Sequence, residues 1–349
     1  MSALANWIRA VRVIPRVTRD EWDALDPVSR WLIASRAAVL VLTFTSATIG
    51  GLFAALAGKF HWPLYGLTVV GLLLAHAASN LFNDYFDYRL GLDRDNYFRA
   101  KYGPQPLVAG LLTERRLLAW ATATMAAAGA FGAALTLVRG PVVAALALAG
   151  MVAILGYSFS KRWGLGEPLV IAVWGPLLVG GSYFVIAGEW SARVAWASLP
   201  YALGATSVLF GKHIDKFDDD RDRGIRTLPI LLGLRAARGV AIALVVLMHV
   251  AALALAALDV TPWLPAALAL FALDKLRWTV KVFANEKPAA PPPEFPAEAW
   301  PLWYVAFAFV HNRKFGVLYL AGLAASVALI DAIGPGAVRF LYAGGVLGR

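Results

Sequence analysis

Blocks of roughly 20 apolar residues, separated by short polar loops, recur along almost the whole chain. A block of that length suits a helix crossing the ~30 Å hydrocarbon core of a bilayer at ~1.5 Å per residue. The pattern predicts nine transmembrane helices, over 35–57, 63–82, 115–137, 141–159, 168–187, 194–211, 238–258, 262–283 and 315–333. Backbone groups facing lipid must be satisfied within their own segment, which excludes open sheets, and the short alternating segments of a membrane barrel are absent. The expected fold class is therefore all-α, a polytopic membrane bundle.

Composition agrees: 60% of residues are hydrophobic and only 15% charged, far from the ordinary globular balance. The first apolar block begins near Ser35, after a polar stretch carrying Arg9, Arg12, Arg16, Arg19 and Arg30, so it reads as a retained span and not a cleaved signal. Without cysteine there is no disulfide framework, thiolate metal site or cysteine nucleophile. A net charge of +10 could suggest nucleic acid, but no soluble basic domain is present to bind it; in such a chain basic residues set topology and meet anionic lipid. If the N-terminus shares a side with the loops after spans two, four, six and eight, the opposite loops hold only Lys59, Arg139 and Arg193, with Arg339 and Arg349 in the tail. The positive-inside rule then makes the N-terminal side cytoplasmic. Three regions are expected: an N-terminal cytoplasmic or interfacial segment (1–34), a membrane domain (35–335) and a tail (336–349). Within the domain, proline-rich 285–300 reads as a stiff linker, and the apolar run from Trp300, too short to span, as an interfacial helix ending near Lys314 and folding over the cytoplasmic mouth.

Two long loops, after spans two and six, open with acid clusters. Asn80, Asp84 and Asp87 stand at i, i+4 and i+7, and Asn83 and Asp87 also stand at i and i+4, so oxygen ligands converge on one helical face. Asp215, Asp219 and Asp222 repeat that spacing at the end of span six. Carboxylates with amide oxygens suit Mg²⁺, which keeps several waters and shares its coordination with substrate phosphates; two such faces could hold two ions around a diphosphate. Metal ions and cationic side chains would neutralise the departing diphosphate, leaving an allylic carbocation for an electron-rich acceptor. The bland alternative is a solvated cap paired with Arg89, Arg94, Arg221 and Arg223; matched spacing on one side of a membrane argues against it.

These residues resemble the UbiA superfamily of membrane prenyltransferases. Asn83, Asp84 and Asp87 are similar to its Asn-Asp-x-x-Asp signature, and Asn80, Asn83, Tyr85, Asp87, Gly91 and Asp93 match the menaquinone-type branch, the 1,4-dihydroxy-2-naphthoate prenyltransferases. So do Asp220 to Gly233 and the segments Gly164-Leu-Gly-Glu-Pro, Trp174-Gly-Pro and Gly181-Ser-Tyr. Lys216 departs from the branch, which usually has Asp there, so the ligand could have moved to Asp215; the insertion from about Lys287 to Phe315 has no counterpart in that branch. The resemblance implies a bundle with a central cavity open to the cytoplasm and to lipid, in a bacterial or archaeal cell membrane. It implies Mg²⁺-dependent transfer of a prenyl chain from a polyprenyl diphosphate to an aromatic, quinone-precursor-like acceptor, with Asp93 added to the metal ligands. It implies that Tyr157 and Lys161 touch the diphosphate, with Asn80, Lys101, Arg162 and Arg226 as further substrate contacts.

Two rivals stand beside this reading. One is prenyl transfer to a carotenoid, polyketide or phosphosugar; the other is a cation-coupled transporter, which should carry acids near the midplane and not at one face among arginines and lysines. His76 reads as a hydrogen-bonded packing residue that could line the cavity, and His249 and His311 are declined as metal ligands.

Overall fold

The computed structural model describes residues 2–91, 103, 105–160, 163–296, 299–334 and 341–342, and among them every regular element is helical. Three short helices precede the membrane region: α1 (Ala3–Arg12), α2 (Arg19–Ala24) and α3 (Pro27–Ala34). Thr18 and Glu21 form a reciprocal capping box on α2, and Asp26 accepts from the Val28 and Ser29 amides at the start of α3, so both helices have side-chain partners for some of their first N–H groups. Trp22, nearly fully buried, joins Ala10 and Ile33 in a core with Leu81, Leu111 and Leu117, which fastens this segment to the membrane bundle.

Seven helices are long and apolar enough to cross a membrane, by length and composition, among the described residues. They are Ala37–Leu56, whose α-helical part is α4 (Val41–Leu56), then α5 (Trp62–Arg89), α6 (Glu114–Arg139), α8 (Gly166–Ala187), α9 (Ala192–Asp215), α12 (Leu234–Ala257) and α15 (Tyr304–Ile333). Between them lie α7 (Pro141–Ser160), α10 (Phe217–Asp222), α11 (Leu228–Leu232), α13 (Trp263–Ala269) and α14 (Leu273–Ala284). Two of the nine expected spans, the fourth and the eighth, are not among these seven. The expected fourth span, α7, is an apolar helix of 20 residues. The expected eighth is broken, because a 3₁₀ turn at Leu270–Ala272 separates α13 from α14. A second correction concerns Trp300–Lys314, which is no separate interfacial helix: α15 starts at Tyr304 and runs unbroken for 30 residues.

Three local features position the site. α5 has 28 residues, hence ~42 Å of helix, longer than the ~30 Å hydrocarbon core; Gly91, at φ +71°, follows its end. α8 is interrupted at Val173–Gly180 by a π-helical stretch around Pro176, which lacks the N–H needed by the preceding turn. α9 stops at Asp215 because Lys216 leaves helical geometry, and α10 starts afresh at Phe217.

The core joins α4, α8, α9, α12 and α15 through Ile49, Val179, Tyr201, Met248, Phe315 and Tyr319. A Cβ on Gly211 would sit 2.8 Å from the Val305 backbone, so α9 and α15 touch main chain to main chain, the close approach small residues allow where lipid offers no hydrophobic drive.

Candidate active site

A cavity of about 790 Å³ lies between α5, α6, α7, α8, α9 and α15. At one end Asn80, Asn83 and Tyr157 line it, and its length is walled by apolar and small side chains such as Leu72, Ala147 and Ile154. The far end is closed by the buried cluster of Leu64, Leu135, Val143 and Val185. Arg139 ties α6 to α8 near that end, donating to the Val185 and Ile186 carbonyls at 2.7 and 2.8 Å. The space thus has one polar end on the motif side and a long apolar body.

The first acidic motif sits on the last turns of α5, as its spacing predicts. Asn83 Nδ2 donates to Asp87 Oδ2 at 3.2 Å, and Asp84 and Asp87 are both buried. Arg36, missed by sequence reasoning, fixes this face: Nη2 lies 3.2 Å from Asp84 Oδ1 and donates to the Asn80 carbonyl at 2.8 Å. The Asn80 amide answers by donating to the Ser35 carbonyl at 2.8 Å. Arg36 is buried and held at φ +55°, a left-handed conformation costly for a residue with a side chain and found where surrounding structure over-determines it. Its signal in the sequence was a lone charge inside the first apolar block. Replacing Arg36 by Met should lower the melting temperature markedly, because removing one member of a buried ion pair costs about 3–5 kcal/mol. Calorimetry of Arg36→Met with Asp84→Asn should show most of that loss recovered, since both charges are then gone.

The second motif is rearranged relative to expectation. Because α9 ends at Lys216, Asp215 is on one helix and Asp219 and Asp222 on the next, so the i, i+4, i+7 face does not form. Asp215, expected as a metal ligand, caps α15 instead: Oδ1 accepts from the Trp303 and Tyr304 amides at 3.2 Å each, and Oδ2 from Val305 at 3.0 Å. Its side chain is fully buried and lies 3.5 Å from Lys287 Nζ. Burial pushes the Lys287 ammonium below its ordinary pKa, and the neighbouring Asp215 and Asp219 carboxylates oppose that shift. Asp219 is partly exposed and 3.8 Å from Arg223, while Asp222 is exposed beside Arg221 at 3.5 Å. The buried acid of α10 is Asp220, 2.9 Å from Lys216 Nζ, so the residue that departs from the family pattern forms an ion pair here.

Of the other expected contacts, Asn80 and Tyr157 line the cavity. Arg226 is exposed and is not among the residues lining it. Asp93, Lys101, Lys161 and Arg162 lie outside the described residues. Arg12, Arg16, Lys212 and Arg313 line the space and were not foreseen. Nor was the buried pair of His213 Nδ1 and Glu167 Oε1 at 2.6 Å, which joins α9 to the start of α8. His76 both lines the cavity and bonds Thr43 Oγ1 at 2.8 Å, whereas His249 and His311 bond each other at 3.0 Å.

The donor set fits a hard cation in type. Asn83, Asp87, Asp219 and Asp222 offer only oxygen. Among the described residues no three His, Asp or Glu side chains cluster closely enough to enclose an ion unaided. Mg²⁺ does not require that, since it binds through one or two carboxylates completed by water and substrate phosphates.

Residues 43–302 match the UbiA prenyltransferase family. The digeranylgeranylglyceryl phosphate synthase of Natronomonas pharaonis is 30% identical over 211 residues, covering 59% of this chain and 68% of that one. The 2-carboxy-1,4-naphthoquinone phytyltransferase of Synechocystis is 24% identical over 212 residues, covering 59% and 66%, so the chain spans about two thirds of the length of these relatives. In fold it is similar to the apo structure of a UbiA homologue from Aeropyrum pernix, with a TM-score of 0.54 at 23% identity over 81% of this chain and 97% of that one. A helical membrane bundle with a long apolar cavity, polar where Asn80 and Asn83 of the first motif line it, accords with that match over most of the sequence, and the chain belongs to the UbiA prenyltransferase family.

Proposed function

We propose that this chain transfers a prenyl group from a polyprenyl diphosphate to an aromatic, quinone-precursor-like acceptor with the help of Mg²⁺, at the cytoplasmic face of a cell membrane. The observation that carries this reading is the cavity, polar beside Asn80 and Asn83 and apolar down to Leu135 and Val143, which suits a ligand with an anionic head and a hydrocarbon tail. The acids stand at helix ends and not at the midplane, which favours a diphosphate site over a cation transport path.

Asn83 and Asp87 from α5, with Asp219 and Asp222 from α10, are the residues that would hold the metal; two ions are expected, one per motif. Bound Mg²⁺ supplies neutralisation of the charge that develops on the leaving diphosphate. Arg36 holds Asp84 and the Asn80 backbone in place before substrate arrives, so this face needs little reorganisation during reaction. The apolar wall excludes water, which would otherwise capture the allylic cation. In the transfer the donor C1–O bond breaks with its electron pair leaving on diphosphate. An electron pair of the acceptor forms the new bond to C1, and the attacked aromatic carbon sheds its proton, or its carboxyl group as carbon dioxide.

A second acceptor class is favoured by the 30% identity to a digeranylgeranylglyceryl phosphate synthase, namely a glycerol phosphate lipid attacked through its hydroxyl. Proteoliposomes supplied with geranylgeranyl diphosphate and either 1,4-dihydroxy-2-naphthoate or geranylgeranylglyceryl phosphate test both. One pair should give product and diphosphate, with loss of both on chelation of Mg²⁺ and recovery on its return. Failure with every prenyl diphosphate and acceptor offered overturns the reading.

A further inference from the structure

Helix α1 turns only one narrow side to the rest of the protein. Ala10 is buried in the core with Trp22 and Ile33, and Asn6, one turn earlier, is half-buried. The remaining surface of the helix is exposed, and its side chains are sorted. Leu4, Ile8 and Val11 stand at i, i+4 and i+7 and so share one stripe, with 62%, 45% and 54% of their surface exposed. Ala5, Arg9 and Arg12 repeat the same spacing one residue on, which places a basic stripe beside the apolar one. The helix carries no Asp or Glu.

Two observations say what faces this surface. The first is position. α1 packs against α3 and against the 3₁₀ turn at Ala37–Val39, and that turn opens the first membrane-crossing helix, Ala37–Leu56. Trp7 Nε1 donates to Asp26 Oδ1 at 3.1 Å, which ties α1 to the residue that caps α3. The helix is therefore held beside the point where the chain enters the bilayer, and its exposed stripes lie at the level of lipid headgroups. The second is the size of its packed face. A helix of ten residues is marginal in water unless a face of it is packed, yet Ala10 is its one buried residue. The apolar stripe is the face still to be covered.

We propose that α1 is a membrane-surface helix: Leu4, Ile8 and Val11 enter the headgroup–acyl boundary of the adjacent leaflet, and Arg9 and Arg12 meet the headgroups of anionic lipid. An apolar stripe flanked by arginines is the pattern that seats a helix ~5–10 Å into that boundary, and each basic side chain near an anionic surface adds to the attraction. Arg12, Val13 and Ile14 at the end of α1 line the cavity, so the lipid surface also steadies the start of that wall. This contact with lipid stands apart from the prenyl-transfer reading.

The chain has no cysteine, so Leu4→Cys, Ala5→Cys and Ile8→Cys can each carry a single nitroxide on the full-length protein in lipid nanodiscs. Electron paramagnetic resonance then compares collision with oxygen, which concentrates in lipid, and with a nickel chelate, which stays in water. In phosphatidylcholine mixed with phosphatidylglycerol, labels at 4 and 8 should meet oxygen more than nickel, and the label at 5 should show the reverse. In phosphatidylcholine alone, or in Arg9→Glu in the mixed lipid, the oxygen-to-nickel ratio at 4 and 8 should fall about fivefold, as expected for losing a basic contact with an anionic surface. Nickel ahead of oxygen at all three positions in both lipids leaves the stripe in water and overturns the proposal. Ratios that ignore both phosphatidylglycerol and Arg9→Glu overturn the anionic recognition it requires. Low access of both reagents at 4 and 8 means that protein, a second copy or a soluble partner, covers the stripe, and overturns it too. No turnover is read, so failure here and failure of prenyl transfer are told apart.

Discussion

Asp87→Ala should reduce prenyl transfer on the order of 10³-fold while leaving a folded, membrane-inserted protein, since it removes charge needed at the leaving diphosphate. Asp87 lies on the last turns of α5 and accepts from the side-chain amide of Asn83, which lines the polar end of the cavity. Asp219→Ala should have a comparable effect on turnover with less effect on stability, because its side chain is partly exposed. Initial rates in proteoliposomes at several Mg²⁺ concentrations check both, with melting temperature as the folding control. Raising Mg²⁺ should partly restore an Asp87→Asn variant, which keeps one oxygen and the local shape, and should not restore Asp87→Ala. Substantial activity in either alanine variant would remove the metal role from that motif.

How far the sequence reveals this site depends on how local the determining contacts are. The first motif was legible because one helix carries it: α5 runs unbroken to Arg89, so i, i+4 and i+7 remain neighbours to the end. The second motif has the same spacing and a different outcome, because the helix stops at Lys216 and the periodicity argument fails at the break. Nothing nearby in sequence announces why Asp215 is unavailable, since its partners are the amides of residues 303–305, brought there by tertiary packing. The same contact explains the misjudged Trp300–Lys314 segment. Its short apolar run, its aromatic residues and its polar end argued for an interfacial helix, but a capped N-terminus lets α15 begin at Tyr304 and carry the last span in one piece. Arg36 and the arm carrying Arg12 and Arg16 read as topological charge until folding placed them against α5 and the cavity.

The reassignment of Asp215 yields the sharpest separation of roles. As a cap it satisfies three α15 amides and lies beside Lys287, whose ammonium also donates to the Pro301 carbonyl and lies 5.0 Å from the Trp300 ring. Asp215→Ala should therefore destabilise the protein by about 2–3 kcal/mol, combining a lost N-cap of roughly 1 kcal/mol with the loss of a buried charged partner, discounted because Lys287 is partly exposed. Asp215→Asn keeps an oxygen that can accept amide hydrogen bonds and should recover part of that stability. The two substitutions have different consequences for catalysis under the two assignments. If Asp215 only caps α15, activity at a permissive temperature should follow stability, so the Asn variant works nearly as well as the wild-type protein and its Mg²⁺ dependence is unshifted. If Asp215 is a metal ligand, the Asn variant should remain stable yet require far more Mg²⁺, as Asp87→Asn is expected to. Thermal unfolding and Mg²⁺ titration of Asp215→Asn, made in parallel with Asp87→Asn, decide between them, and the three amide bonds to its carboxylate predict the first result.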